Sequence, residues 1–457
     1  MKFLNDPRQS VKQLIWLSTL AFASSLHAQT FELLHTFSPF LEGDYSRARL
    51  VQGSNGNFYG STFYGGSDIN RGTLFKITPN GVFTRLVVLD DLTGWVEAEM
   101  IEGNDGNFYG TSSLGGVTGN DGMVFKLAPD GIRTTVASFS FPNGWVADSG
   151  VIQARDGNFY GTTLYGGAYG DNYGTYGTVF KMTPNGSLTT MVSFAGTNGA
   201  NPGGGLMQAS DGNVYGTTRF GGDLRGGTSF GAGTVFRMTP EGLLTTLVIF
   251  NYTNGAGSSR RMIQASDGLL YGSTAEGGIG HGTIFKMTTN GVLTTLVAFD
   301  GTNGAGSPAL IQARDGNFYG ACGGGAHNDG IVFKMTPQGE LRTLFSFNYW
   351  SESGGGSAGI IEGSDGNFYG TTSGGGAYLS GTVFRIVMPG PQLNFIRTGN
   401  QLILSWPTNA VGFTLQSITN LTSTNWINST DCPFILGGQY TVVNNLSSGS
   451  RFYRLKK

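Results

Sequence analysis

Asp156-Gly157-Asn158-Phe159-Tyr160-Gly161-Thr162-Thr163 decides the fold, because its Asn-Phe-Tyr-Gly centre, or a close variant, occurs seven times in the chain. The motif tyrosines are Tyr59, Tyr109, Tyr160, Tyr215, Tyr271, Tyr319 and Tyr369, at intervals of 50, 51, 55, 56, 48 and 50 residues. A fixed period of this size marks a repeat architecture, in which each copy is one supersecondary unit. No single residue can be read until the repeat is understood.

Around the motif, the third copy resolves into four strand-like runs. Val151-Ile152-Gln153-Ala154 is a short apolar run, here strand A. Asp156-Gly157-Asn158 is a tight turn favouring positive φ, and it joins antiparallel strands. Phe159-Tyr160-Gly161-Thr162-Thr163, strand B, is rich in β-formers. A Gly-rich loop leads to strand C, Thr178-Val179-Phe180-Lys181-Met182. Pro184-Asn185-Gly186 turns the chain into strand D, Leu188 to Phe194, which alternates with period two. Two tight hairpins and two longer loops per unit match a propeller blade. A β-solenoid, the competing repeat fold, does not need an Asp-Gly-Asn hairpin in each unit. The expected fold is therefore all-β: a seven-bladed β-propeller of four-stranded blades over residues 29–388.

The ends of the array predict how the ring closes. Phe31 to Phe37 reads as a D strand ahead of the first A strand. The last copy stops after its C strand, Thr382 to Ile386. The N-terminal strand is thus expected to complete the seventh blade, which removes an open edge.

The 77 glycines fall at recurring turn positions and act as punctuation. With 12% charged residues and a net charge of −2, the chain has no basic field for nucleic acid. Residues 1–28 read as a signal peptide: Lys2, Arg8 and Lys12 precede an apolar core from Leu14 to Leu26, with Ala28 before the cleavage point. No other segment is apolar enough to span a bilayer. The mature chain is expected outside the cytoplasm, at the cell surface, in a periplasm or in the medium, as a monomer. Cys322 and Cys432 are expected as unpaired thiols rather than a bridge. Pro389-Gly390-Pro391 opens a linker, 389–392. Residues 393–457 lack the motif, and Leu404-Ser405-Trp406 belongs to a small β-sandwich-like module for anchoring, sorting or capping.

The full unit, Asp-Gly-Asn-Phe-Tyr-Gly-Thr-Thr through Gly-Thr-Val-Phe-Lys-Met-Thr-Pro to Leu-Thr-Thr-Leu-Val, resembles the GloVer repeat of choice-of-anchor tandem repeat proteins. The resemblance covers residues 31–388. It implies exported bacterial proteins with varied C-terminal anchors, and it brings no catalytic residues. The Asp-Gly-Asn-aromatic hairpin also resembles propeller repeats of sensor-kinase ectodomains.

Copies differ mainly in their B–C and D–A loops, which emerge on one face, and variable loops on a rigid scaffold are where binding lives. The longest B–C loops carry Tyr165, Tyr169, Tyr173, Tyr176, Phe220 and Phe230. The D–A loops carry Trp95 and Trp145. Aligning the A strands puts Arg49, Glu99 and Arg261 at one rim position, and Arg47, Glu97 and Asp148 two residues earlier. Aromatic platforms beside hydrogen-bonding charges suit sugar rings, so Arg47, Arg49, Trp95, Glu97, Glu99, Trp145, Asp148 and Arg261 are the candidate glycan-binding residues. The bland alternative is that both tryptophans plug the channel and the charges are merely solvated. Gln52, Glu102, Gln153, Gln208, Gln264, Gln312 and Glu362 form a ring at one level of strand A. They read as partners of backbone groups or, alternatively, as a central cation site. The recurring Lys or Arg after the C-strand Phe reads as a solvated or inter-blade charge.

No catalytic constellation is visible. His281 and His327 make a weak metal pair, the EF-hand spacing is absent, and neither a Gly-x-Ser-x-Gly elbow nor a His-Glu-x-x-His run occurs. No catalytic residue, metal or cofactor is assigned. The expected role is a non-catalytic exported scaffold that binds a glycan or a cell-surface partner. The alternative is a glycosidase or lyase that uses Glu97, Glu99 or Asp148 on the same face.

Overall fold

The computed structural model describes residues 29–456 except 69, 93, 117–120, 172–173, 224–230, 408–411, 421, 423 and 447–449. The expected signal segment lies outside the described residues, as do Tyr173 and Phe230. The described chain is all-β, with no helix among its elements. Between Thr30 and Val387 stand seven four-stranded antiparallel sheets, one per repeat, in a propeller-like series.

The third sheet shows why the motif folds as it does. Its strands Val151–Gln153, Phe159–Thr163, Thr178–Met182 and Leu188–Ser193 pair in chain order. Gly157, at φ +79°, makes the A–B turn, and a side chain there would meet no other atom, so backbone handedness alone selects glycine. Asp156 then ties the hairpin together. Its carboxylate accepts from the Asn158 amide nitrogen at 3.0 Å, Asn158 Nδ2 at 2.8 Å, the Tyr160 hydroxyl at 2.9 Å and Lys181 Nζ at 2.9 Å. Asp105 and Asp315 hold Lys126 and Lys334 in the same way. At these positions the recurring lysine is neither free in solvent nor bridging sheets. It faces its own hairpin, because the side chains of B and C strands opposite each other point to one face.

The motif glycine has a different cause. A Cβ on Gly161 would lie 2.5 Å from Phe180 Cζ, so the C-strand phenylalanine occupies that space. All five residues of the B strand Phe159–Thr163 are buried. Its Phe and Tyr face the neighbouring sheets. Tyr59 packs on Phe108 at 4.0 Å between ring centroids, Tyr109 on Phe159 at 4.2 Å, Tyr319 on Phe368 at 4.2 Å and Tyr369 back on Phe58 at 4.1 Å.

The ring of A-strand amides and carboxylates links sheet to sheet. Glu102 accepts from the Ser54 amide, Gln153 from Asn104, Gln208 from Arg155, Gln264 from Ser210, Gln312 from Ser266, Glu362 from Arg314 and Gln52 from Ser364, all at 2.7–3.0 Å. The series returns to its start after seven steps. Each glutamine also donates to a glycine carbonyl of its own hairpin, as Gln153 does to Gly157 at 3.0 Å. Glu102 cannot donate, and takes the Ser54 hydroxyl at 2.7 Å instead. The ring therefore spends its polar atoms on the protein itself, as the backbone-partner reading requires.

The N-terminal strand, Thr30–Thr36, pairs antiparallel with Thr382–Val387 and completes the seventh sheet. Phe31 stacks on Phe345 at 4.3 Å, and Phe37 is fully buried beside Phe58 and Tyr369. Beyond Pro391, a four-stranded and a three-stranded sheet share an apolar cluster around Trp406, Leu404, Leu415 and Val442. Cys322 and Cys432 are both free thiols, the first buried and the second exposed.

Candidate functional site

The D–A loops are short of regular structure, yet they are not loose. In the third sheet, Trp145 and Tyr165 form an antiparallel bridge between the D–A loop and the start of the B–C loop. The same bridge recurs as Asp44 with Tyr64, Ala200 with Phe220 and Ala256 with Glu276. These bridges fix where the next few residues, just before strand A, project.

Those residues meet. Side chains and backbone from all seven sheets line one cup with a volume of about 490 Å³. It gathers Arg47, Arg49, Glu97, Glu99, Asp148 and Arg261, which are six of the eight residues singled out from the sequence. Gly203, Gly204, Ser357 and Ala358 also line it, and their small size leaves space between the charged residues. Trp95 and Trp145 do not line the cup. Trp95 packs on Phe63 at 5.4 Å with the Arg71 guanidinium 4.4 Å above its ring. Trp145 packs on Tyr165 at 5.2 Å. Trp145 thus belongs to a loop bridge, and Trp95 to an aromatic contact beside Arg71.

The charges in the cup are mutually arranged. Glu99 sits between two arginines, with Arg49 at 2.8 Å on Oε2 and Arg261 at 2.9 Å on Oε1. Burial by itself raises a carboxyl pKa, but Arg261 and then Arg49 outweigh it and hold Glu99 down near about 2. Arg47 reaches Glu97 at 3.5 Å and lies 4.4 Å from the Phe63 ring centre. Burial raises Glu97 above its ordinary value against the opposing pull of Arg47. Asp148 behaves oppositely to Glu99. Burial first, and the nearby Glu97 charge second, push it up to about 7, while Arg260 and Arg47 pull less strongly the other way. Its Oδ1 is buried and makes no hydrogen bond.

Arg260 was not among the residues singled out. It occupies the level between the two aligned rim positions, where the other copies carry Ala48, Ala98, Ser149, Gly204, Pro308 and Ala358. The signal was present: one large cation stands where every other copy has a small residue or proline. Arg260 feels the fields of Glu99 and Asp148, but among the described residues its guanidinium makes neither a hydrogen bond nor an ion pair. Its side chain is open to the water in the cup while protein surrounds the cup itself. Also among the described residues, no three His, Cys, Asp or Glu side chains gather as a metal site, and no helix is long and apolar enough to cross a membrane.

A family model described as the Gloeobacter/Verrucomicrobia repeat matches residues 19–230 and again 224–411. No curated protein matches the sequence. Among solved structures, the extracellular domain of a putative hybrid two-component system from B. thetaiotaomicron is 11% identical with a TM-score of 0.50, covering 94% of this chain and 55% of that one. The chain thus spans about half the length of that structure. A gluconolactonase from Xanthomonas campestris is 12% identical with a TM-score of 0.42, covering 81% of this chain and 94% of that one. At such identities the likeness is one of fold alone.

Proposed function

The chain belongs to the Gloeobacter/Verrucomicrobia repeat family, and from that premise we propose that it is an exported, non-catalytic binding module. Its seven sheets are the blades of one propeller, residues 29–388, closed by the N-terminal strand. Residues 1–28 are its signal peptide. Residues 393–457, after the linker 389–392, are a small module for anchoring, sorting or capping. The working compartment is the cell surface, periplasm or medium, in keeping with an extracellular domain among the proteins of similar fold.

The ligand is a glycan held in the central cup. One observation carries this reading: all seven sheets contribute to a polar cavity whose hydrogen-bonding capacity exceeds its internal pairing, as Asp148 Oδ1 shows. Sugar hydroxyls both donate and accept, so they suit a wall that alternates carboxylate and guanidinium. A glycan array probed with the secreted chain tests it. Specific binding that falls at least tenfold in the Glu97→Gln, Asp148→Asn double variant is expected. An array that stays silent overturns the reading.

A second reading is favoured by the Glu97–Asp148 pair. A carboxyl pushed up to about 7 by burial and by a neighbouring carboxylate is a pattern of acid/base pairs in glycosidases. Release of reducing ends from a polysaccharide, abolished by Asp148→Asn, is the result that would establish catalysis.

A further inference from the structure

The cup has an extension. A second cavity of about 450 Å³ shares Arg260, Ala309, Ser357 and Ala358 with it, and runs over the sixth sheet past Ser307, Gly323 and Asn328. Each cavity lies within the range of small-ligand sites, about 300–1,000 Å³. The cup walls are charged and nearly balanced in pairs: Glu99 with Arg49 and Arg261, and Glu97 with Arg47. The extension is different. Apart from Arg260 and Cys322, it is lined by glycine, alanine, serine and Asn328. Small residues bring ligand atoms close to the backbone amides and carbonyls. Arg260 stands where the two spaces meet, the one cation among the described residues that lines both, and among those residues no protein group hydrogen-bonds or ion-pairs with its guanidinium.

Resting on the glycan reading above, we propose that the ligand is an acidic oligosaccharide, with one uronate carboxylate on Arg260 and further sugar rings along the sixth-sheet groove. An unpaired guanidinium in a protein-lined space favours a planar carboxylate, which takes two parallel N–H bonds. The neighbouring charges do not compete for it. Glu99 is bracketed by two arginines, Arg47 is engaged by Glu97, and the Arg219 guanidinium lies over the Phe220 ring. Asp148, about half protonated at pH 7, repels an anion less than an ordinary carboxylate would.

Calorimetry on the full secreted chain with trigalacturonate, galacturonate, a neutral galactose trimer and inorganic phosphate tests this. The acidic trimer is expected to bind at least tenfold tighter than the other three, with affinity falling as salt rises. Arg260→Gln is expected to cost the acidic trimer at least tenfold. Gly323 is solvent-facing with ordinary backbone, and an added Cβ there comes no nearer than 3.5 Å to other atoms, so Gly323→Leu leaves the fold intact and narrows the groove. It is expected to weaken the trimer and not the monomer. Equal binding of the neutral trimer, untouched by Arg260→Gln, overturns the acidic assignment and leaves the glycan reading standing. Phosphate binding as tightly as the trimer overturns it in favour of a simple anion. A trimer no tighter than the monomer overturns the groove. Binding of none of the saccharides overturns this proposal and the glycan reading together.

Discussion

Asp148 and Glu99 are carboxyl groups in one cup whose neighbours drive them apart. Two arginines bracket Glu99, whereas Asp148 meets burial and the Glu97 charge before any cation. The consequence for stability has a definite sign. With a folded pKa of about 7 against 3.8 for the free group, folded Asp148 holds its proton where the unfolded chain has lost it. Its contribution is fully present below about pH 4 and is lost as pH rises through about 7. Asp148→Asn removes the charge without removing the shape. The variant is expected to gain about 1–2 kcal/mol over the parent at pH 8 and nothing at pH 4, read by thermal melts across pH. An equal difference at both pH values would refute the assignment. Gly161 makes a purely steric counterpart. Its Cβ would intrude on Phe180, so Gly161→Ala is expected to cost about 1–3 kcal/mol in denaturant melts. Gly157→Ala tests a different cause, since the space is open and only φ is wrong, and a cost of about 1 kcal/mol is expected.

At the scale of strands, the closing segment Thr30–Thr36 separates into two faces. Phe37, just past its end, is fully buried against Phe58, Phe75 and Tyr369, while Leu33 faces solvent. Phe37→Ala is expected to cost about 3–5 kcal/mol and Leu33→Ala under about 0.5, measured as denaturation midpoints. Similar losses would mean the strand is held by backbone pairing rather than by this core. The strands were legible because each begins or ends at a turn residue with a conformational reason to be there. The third B and C strands, Phe159–Thr163 and Thr178–Met182, fall where the alternation puts them. The N-terminal extensions of the sixth and seventh A strands were not, and these strands run longer than the others, Ala305–Gln312 and Gly355–Glu362. Their extra pairing involves glycine, alanine and serine, which carry little strand signal. Most of the cup was legible, because equivalent positions in a repeat converge when the copies stack radially. The tryptophans were misplaced for the opposite reason. Trp145 follows its bridge to Tyr165, a loop pairing apart from the A-strand positions that converge on the cup.

For the whole molecule, closure is the property on which the cup depends, since its walls come from sheets at both ends of the array. Arg47 and Arg49 follow the N-terminal strand, and Ser357 lies in the sheet that this strand completes. Several contacts join the ends, among them pairing of Thr30–Thr36 with Thr382–Val387, the contact of Gln52 with the Ser364 amide and the stacking of Tyr369 on Phe58. Removing the strand leaves the C strand of the seventh sheet as an unpaired edge with its apolar face uncovered, a template for a second chain. Deletion of residues 31–37 is therefore expected to give oligomers or aggregate in light scattering, where the intact chain is expected as a monomer, and to lose the cooperative melt. A synthetic peptide of residues 29–38 added in trans should restore both, because the groove it fills is formed by residues still present. The peptide variant Phe37→Ala should fail to do so. If the deleted chain stays monomeric and melts like the parent, this strand does not close the ring, and the cup must be held by the sheet-to-sheet contacts alone.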